Sequence, residues 1–211
     1  MGQLETVLAG RDGRYRLQRG MLDRCTVVVQ AALNVPGFPK NIDGDGTLIE
    51  GMTRRIEKAV TGIGRPPGIV VFMDNGAGAA SLMSFSGVGE IDVKRLCAAW
   101  ENYLEWGRVL DIDVLTSSGS VSRSLLEMPS RRCIICGGDA KVCARERKHS
   151  YRRLRDRAGE MIEQGLRFLS DRQMTLNDSS SPFAFAGGVF PENMFHVLFP
   201  EQYGGQGGGR S

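Results

Sequence analysis

Short β-branched runs alternate with segments whose apolar residues recur at helical spacing, and that alternation restricts the possible folds more than any single residue does. Thr26 to Leu33 reads as a buried strand, and the Pro36 and Pro39 loop ends it. Leu48, Ile49, Met52, Ile56 and Val60 then predict a helix of about three turns. Ile69 to Met73 and Ser81 to Phe85 flank the turn residues Asp74 to Gly78, which predicts a hairpin. Asp92 is placed to cap a helix running to about Glu105, with Val93, Leu96, Cys97, Trp100 and Leu104 on one face. Val109 to Leu115 is the fourth strand, and Val121 to Ser124 is expected to pair with it across a Ser117-Ser118-Gly119 turn.

The order strand, helix, strand, strand, helix, strand predicts an α+β fold. Its core is expected to be βαββαβ with a mixed or antiparallel sheet, ferredoxin-like or alternatively nucleotidyltransferase-like, because strand order is not fixed by one sequence. A cysteine-rich knuckle (129–150) and a helix over about 150–170 are appended, all within one domain of residues 8–176. Residues 177–211 mix glycine with Phe183, Phe185, Phe190, Phe195 and Phe199, and are expected to be a poorly ordered tail.

With 211 residues, 41% hydrophobic and 24% charged, the composition is globular and argues against a disordered, collagen-like or coiled-coil chain. No apolar run approaches the roughly 18 residues of a membrane span. The first ten residues show no basic region followed by a long apolar one, so no secretory signal is visible and a cytoplasmic location is expected. Three of the five cysteines fall between positions 133 and 143, which points to metal or redox chemistry more than to a disulfide framework.

In Asp111-Ile112-Asp113 the strand period puts both carboxylates on one face while Leu110, Ile112 and Val114 face the core. Two carboxylates about 6 to 7 Å apart along a strand repel unless a cation lies between them, and Mg²⁺ suits such hard oxygen ligands. The bland alternative is a half-exposed strand whose polar face happens to carry two aspartates. Gly107-Arg108 stands just upstream and offers a guanidinium able to clamp phosphate.

Cys133, Cys136, Cys143 and His149 form a permitted Cys3His set for tetrahedral zinc, with a structural role expected because four protein ligands leave no open position. A redox Cys-x-x-Cys and plain reduced thiols are the competing readings. Arginines 131, 132, 145, 147, 152, 153, 155 and 157, with Lys148, surround this segment. They read either as a solvated helix face or as a dock for a polyanion or an acidic protein.

Gly107-Arg108-Val109-Leu110-Asp111-Ile112-Asp113-Val114, then Arg131-Arg132-Cys133-Ile134-Ile135-Cys136, then Val142-Cys143-Ala144-Arg145 with His149 beyond, resembles the citrate lyase holo-acyl-carrier-protein synthase family. The same family is called apo-citrate lyase phosphoribosyl-dephospho-CoA transferase. A weaker likeness runs through Gly10 to Arg14, the Pro36-Gly37-x-x-Lys40 loop, Thr53 to Ile56, and Glu101. Asn102 and Leu104 stand where relatives often carry histidines.

The resemblance implies transfer of a phosphoribosyl-dephospho-CoA group from its triphosphate precursor to a serine of the citrate lyase acyl carrier protein, with release of diphosphate. It implies Asp111 and Asp113 as catalytic Mg²⁺ ligands, and Arg108, Lys40, Arg11, Arg145 and Gly107 as substrate contacts. The basic stretch from Arg145 to Arg157 would dock an acidic carrier protein, and neither membrane nor nucleic acid is expected as a partner. Two other readings stay open: a zinc-stabilised basic module that binds nucleic acid, and a factor that holds the carrier without modifying it.

Overall fold

Side-chain alternation along the strands builds the sheet and decides where the helices pack. The structure, a computed structural model, describes residues 2–171. In chain order the elements are α1 (Gln3–Leu22), β1 (Val27–Leu33), α2 (Asp45–Ile63), β2 (Ile69–Asn75), β3 (Gly78–Phe85), α3 (Glu90–Tyr103), a 3-10 turn (Gly107–Val109), β4 (Leu110–Thr116), β5 (Gly119–Ser120), a second 3-10 turn (Arg123–Leu126), α4 (Ala140–Arg145) and α5 (Tyr151–Asp171). The class is α+β. The five strands lie in the order β2-β3-β1-β4-β5, every neighbour antiparallel.

On one face, Val27, Val29 and Ala31 of β1 join Leu110, Ile112 and Val114 of β4 and Met83 and Phe85 of β3. Leu48, Met52 and Ile56 of α2 and Trp100 of α3 close over them to form the main core. α5 packs on α2 through Ala158, Met161 and Ile162. A smaller cluster on the other face joins Val28 and Leu82 to Met21 of α1.

β5 pairs only with Leu115 and Thr116, so among the described residues the first half of β4 has no strand on its outer side. α3 supplies the missing partners. Buried Lys94 donates from Nζ to the Ile112 carbonyl at 2.9 Å, and the Ile112 amide donates to Oε1 of buried Glu101 at 2.9 Å. Side chains thereby satisfy an edge that would otherwise leave buried backbone groups unpaired.

The structure departs from the sequence expectations at several elements. α1 was unanticipated: its buried residues are Val7, Gly10, Arg14 and Met21, a partly polar inner face without a helical apolar period. A Cβ on Gly10 would lie 2.5 Å from Asn75 Oδ1 and 2.7 Å from the Ala77 amide, so close approach rather than greasy burial seats this helix. α2 runs 19 residues, longer than three turns. Asp92 does not cap α3, which begins at Glu90 after Gly89 with no side-chain cap; Asp92 pairs instead with Arg95 at 3.5 Å. The strand after the turn is Gly119–Ser120, not Val121 to Ser124, because the chain bends into a 3-10 turn at Arg123. The expectation for 177–211 lies outside the described residues.

Candidate functional site

Asp111 and Asp113 are each half-buried between the buried Leu110, Ile112 and Val114, so the two carboxylates do share one face of β4. Their partners across β1 are Ala32 and Gln30. α1 packs on β1, β2 and β3 of that face and brings Arg14 and Gln18 to it. Arg14 donates to the Gly78 carbonyl and Gln18 to Gln30 Oε1, both across the same face.

Arg131 organises the margin of this face. Its Nη1 donates to Asp111 Oδ1 at 2.6 Å, and its Nη2 donates to the Leu110 carbonyl and to Glu101 Oε1. Arg123 holds the other Glu101 oxygen, Oε2, and both of its terminal nitrogens donate to Asn102 Oδ1 at 3.1 Å. Burial works against the Arg131 charge, yet Glu101 and Asp111 outweigh it and hold its pKa above the ordinary value.

Asp113, among the described residues, has no hydrogen-bond or ion-pair partner. Burial first, then the negative charges of Asp111 and Glu101, push its carboxyl above the usual range, against the pull of Lys94 and Arg131. A divalent cation between Asp111 and Asp113 would relieve that repulsion, so this pair fits the oxygen donor set of Mg²⁺.

The other sequence-predicted residues spread around the pair. Lys40 donates to the Val35 carbonyl at 2.8 Å; burial, followed by the charges of Arg11 and Arg155, lowers its pKa. Arg11 is exposed on α1 and also bears on Arg14, whose pKa burial lowers while Asp111 and Asp74 oppose the shift. Arg108 donates twice to the Arg132 carbonyl. Gly107 is buried where a Cβ would come within 2.2 Å of the Trp100 carbonyl oxygen, so it serves the packing of the turn before β4. Arg145 ends α4, exposed.

A cavity of about 500 Å³ opens beside this arrangement, between the Pro36–Lys40 loop, Arg108, the cysteine segment and the start of α5. Lys40, Arg108 and Arg131 line it; Asp111, Asp113, Arg11 and Arg145 do not. Arg131 is therefore the link between cavity and carboxylates.

Sequence reasoning missed Lys94 and Arg123 altogether and gave Arg14, Glu101 and Arg131 no role at the carboxylates. Lys94 and Glu101 carried one signal: they are seven residues apart, two helical turns, on a helix that otherwise buries Val93, Leu96, Cys97 and Trp100. Charges on such a stripe must find partners when buried.

The cysteine segment folds as a knuckle. The Cys133 amide donates to the Gly138 carbonyl at 2.6 Å and the Gly137 amide to Cys133 at 3.0 Å, with Gly137 at φ +70°. Asp139 caps α4 by accepting from the Lys141 and Val142 amides, and α4 presents Cys143. The ligand atoms of Cys133, Cys136, Cys143 and His149 all lie within 4.8 Å of one another. Cys136 Sγ stands 3.5 Å from Cys143 Sγ and 3.4 Å from His149 Nε2, spacings close to those that zinc bonds of about 2.0 to 2.3 Å require. Hydrogen bonds from the Gly138 amide and then His149 draw the Cys136 thiol down to about 6. The set can hold a metal such as zinc.

Among the described residues no helix is long and apolar enough to cross a membrane. Residues 2–165 match the family model described as apo-citrate lyase phosphoribosyl-dephospho-CoA transferase. The chain is 27% identical over 160 residues to a Vibrio cholerae serotype O1 protein named "Probable apo-citrate lyase phosphoribosyl-dephospho-CoA transferase", a match covering 75% of this chain and 90% of that one. It is 36% identical over 93 residues to a Streptococcus pyogenes serotype M18 protein of the same name, covering 42% of this chain and 47% of the other.

Proposed function

The chain belongs to the apo-citrate lyase phosphoribosyl-dephospho-CoA transferase family, and from that premise we propose that it moves a phosphoribosyl-dephospho-CoA group from a triphosphate precursor to a serine of the citrate lyase acyl carrier protein, releasing diphosphate. The observation that carries this reading is the pair Asp111 and Asp113 on one face of β4, one carboxylate fixed by Arg131 and the other without a partner among the described residues.

In-line attack by a serine oxygen on the α-phosphorus builds charge on the leaving diphosphate, so placement and electrostatic stabilisation are what the protein must supply. Asp111 and Asp113 would hold Mg²⁺, which supplies charge neutralisation at the triphosphate when bound. Asp113, with its raised pKa, is suited to accept the serine proton. Lys40, Arg11 and Arg108 would contact phosphate oxygens, and Arg145 is a candidate for the carrier. Gly107 is assigned to packing rather than contact. Zinc on the Cys3His set would fix residues 130–149, and with them the backbone that carries Arg131. The strand order β2-β3-β1-β4 supports the ferredoxin-like form of the core.

The test mixes the chain with apo carrier protein, triphosphoribosyl-dephospho-CoA and Mg²⁺ and weighs the carrier by mass spectrometry. The expected gain is one phosphoribosyl-dephospho-CoA group, and an unchanged carrier overturns the reading. Replacing both aspartates by asparagine abolishes transfer and spares carrier binding. Loss of binding by a folded variant favours the carrier-holding role instead, and a salt-dependent shift of random RNA retained in that variant favours a nucleic-acid module.

A further inference from the structure

The cavity beside the carboxylates contains more positive charge than the transfer chemistry has used. Among the described residues no aspartate or glutamate lines it. The Arg131 charge is compensated by Glu101 and Asp111, but among the described residues Lys40 and Arg108 donate only to backbone carbonyls. Arg132 and Arg147, both exposed, make no ion pair and no side-chain hydrogen bond among the described residues. Even a zinc-loaded wall of three thiolates and one imidazole would add only a single net negative charge. Concentrated, uncompensated cations in a concave site call for an anionic ligand.

Apart from the knuckle, Asn34 and Ser150, the remaining lining is apolar. Val35, Pro36, Ile134 and Leu154 line the cavity, and Tyr151, 73% exposed, stands among them. An exposed aromatic ring beside paired cations is a stacking surface for a base next to a phosphate site. A cavity of about 500 Å³ suits a nucleoside diphosphate rather than a bare phosphate.

Resting on the transferase reading, we propose that this cavity is a second anion subsite, which binds the adenosine diphosphate portion of the dephospho-CoA group through Arg132, Arg147 and Tyr151 and is separate from the triphosphate site at Asp111 and Asp113. A donor of this class carries two polyphosphates, the diphosphate joining adenosine to pantetheine and the triphosphate that reacts. The cavity and the proposed metal pair therefore match the two polyphosphates of one ligand, and Arg131, which lines the cavity and contacts Asp111, joins them. Binding energy from the adenosine end would position the reacting phosphorus without taking part in the chemistry.

The test uses the full chain and two probes by calorimetry, dephospho-CoA and inorganic triphosphate with Mg²⁺. Dephospho-CoA should bind the wild type, and an Arg132→Ala/Arg147→Ala variant should weaken it by about tenfold or more, the scale of losing charge-assisted contacts. Triphosphate affinity should stay within about twofold. Tyr151→Ala, at an exposed position, should also weaken dephospho-CoA and leave triphosphate alone. In transfer assays the double variant should raise the donor KM with little change in kcat. A wild type that does not bind dephospho-CoA, or variants that bind it as the wild type does, overturn the subsite. If transfer proceeds with an unchanged donor KM in the variants, the subsite falls and the transferase reading stands. If dephospho-CoA binding depends on both arginines but no carrier is modified, the subsite stands and the transferase reading falls.

Discussion

Glu101 is 2% exposed and touches three partners: the Ile112 amide, Arg131 and Arg123. Removing one member of a buried ionic group leaves the others desolvated and unpaired, so Glu101→Ala should cost about 3–5 kcal/mol in a urea melt. Glu101→Gln keeps the shape and should lose less. Asp113 presents the opposite case, a carboxylate whose charge is a burden. Its folded pKa lies above the ordinary 3.8, so the stability its proton confers is complete below that value and is lost as pH rises through the raised one. At neutral pH, Asp113→Asn should therefore raise the melting temperature by a few degrees while abolishing transfer. Mg²⁺ should stabilise the wild type against heat more than this variant; equal shifts would count against the proposed ligand pair. The aspartates were legible because strand alternation is a local rule. The Glu101–Arg131–Asp111 cluster was not, because its members lie 10 to 30 residues apart and only the placement of α3 against β4 brings them together.

Along α5, two glycines six residues apart make opposite demands. At Gly165 a Cβ would lie 2.8 Å from Leu48 Cδ1 and 2.9 Å from the Trp106 ring, whereas at Gly159 it would meet nothing within 4 Å. Alanine favours a helix over glycine by about 0.5–1 kcal/mol, so Gly159→Ala should stabilise by about that amount. Gly165→Ala should instead destabilise by about 1 kcal/mol or more, since the clash outweighs the propensity. Thermal melts of the two variants check both signs. In the knuckle, metal analysis should find one zinc per chain, and Cys136→Ser should lose it. Loss of zinc should open residues 130–149 to protease and reduce transfer, because Arg131 lies two residues before Cys133. Elements with a strong period, such as β1, α2 and β4, could be read from sequence. α1 could not, since polar Arg14 and tight Gly10 occupy its inner face, and neither could α4, whose six residues depend on the Asp139 cap and the knuckle rather than on periodicity.

On the proposed reading, charge over the described residues divides between the cavity and a surface open to the carrier. Within the basic run, Arg155 turns inward and donates to the carbonyls of Pro36, Pro39 and Asn41, which fixes the loop carrying Lys40. Arg157 pairs with Glu160. Arg145, Lys148, Arg152 and Arg153 remain exposed, with Arg152 only 4.0 Å-paired to Asp156 and its side chain 91% exposed. Surface pairs of that kind are worth little, so these cations would be available to the proposed acidic carrier domain. Steering by such a patch acts on encounter rate and is screened over a Debye length of about 10 Å at 0.1 M salt. Arg152→Glu/Arg153→Glu should therefore lower kcat/KM for the carrier by about tenfold at low salt, with the two curves converging as salt rises. The donor KM should not move, since neither residue lines the cavity. A carrier rate indifferent to both salt and charge reversal would mean that the carrier approaches from another side, and the exposed face of α5 would then be a solvated helix surface and nothing more.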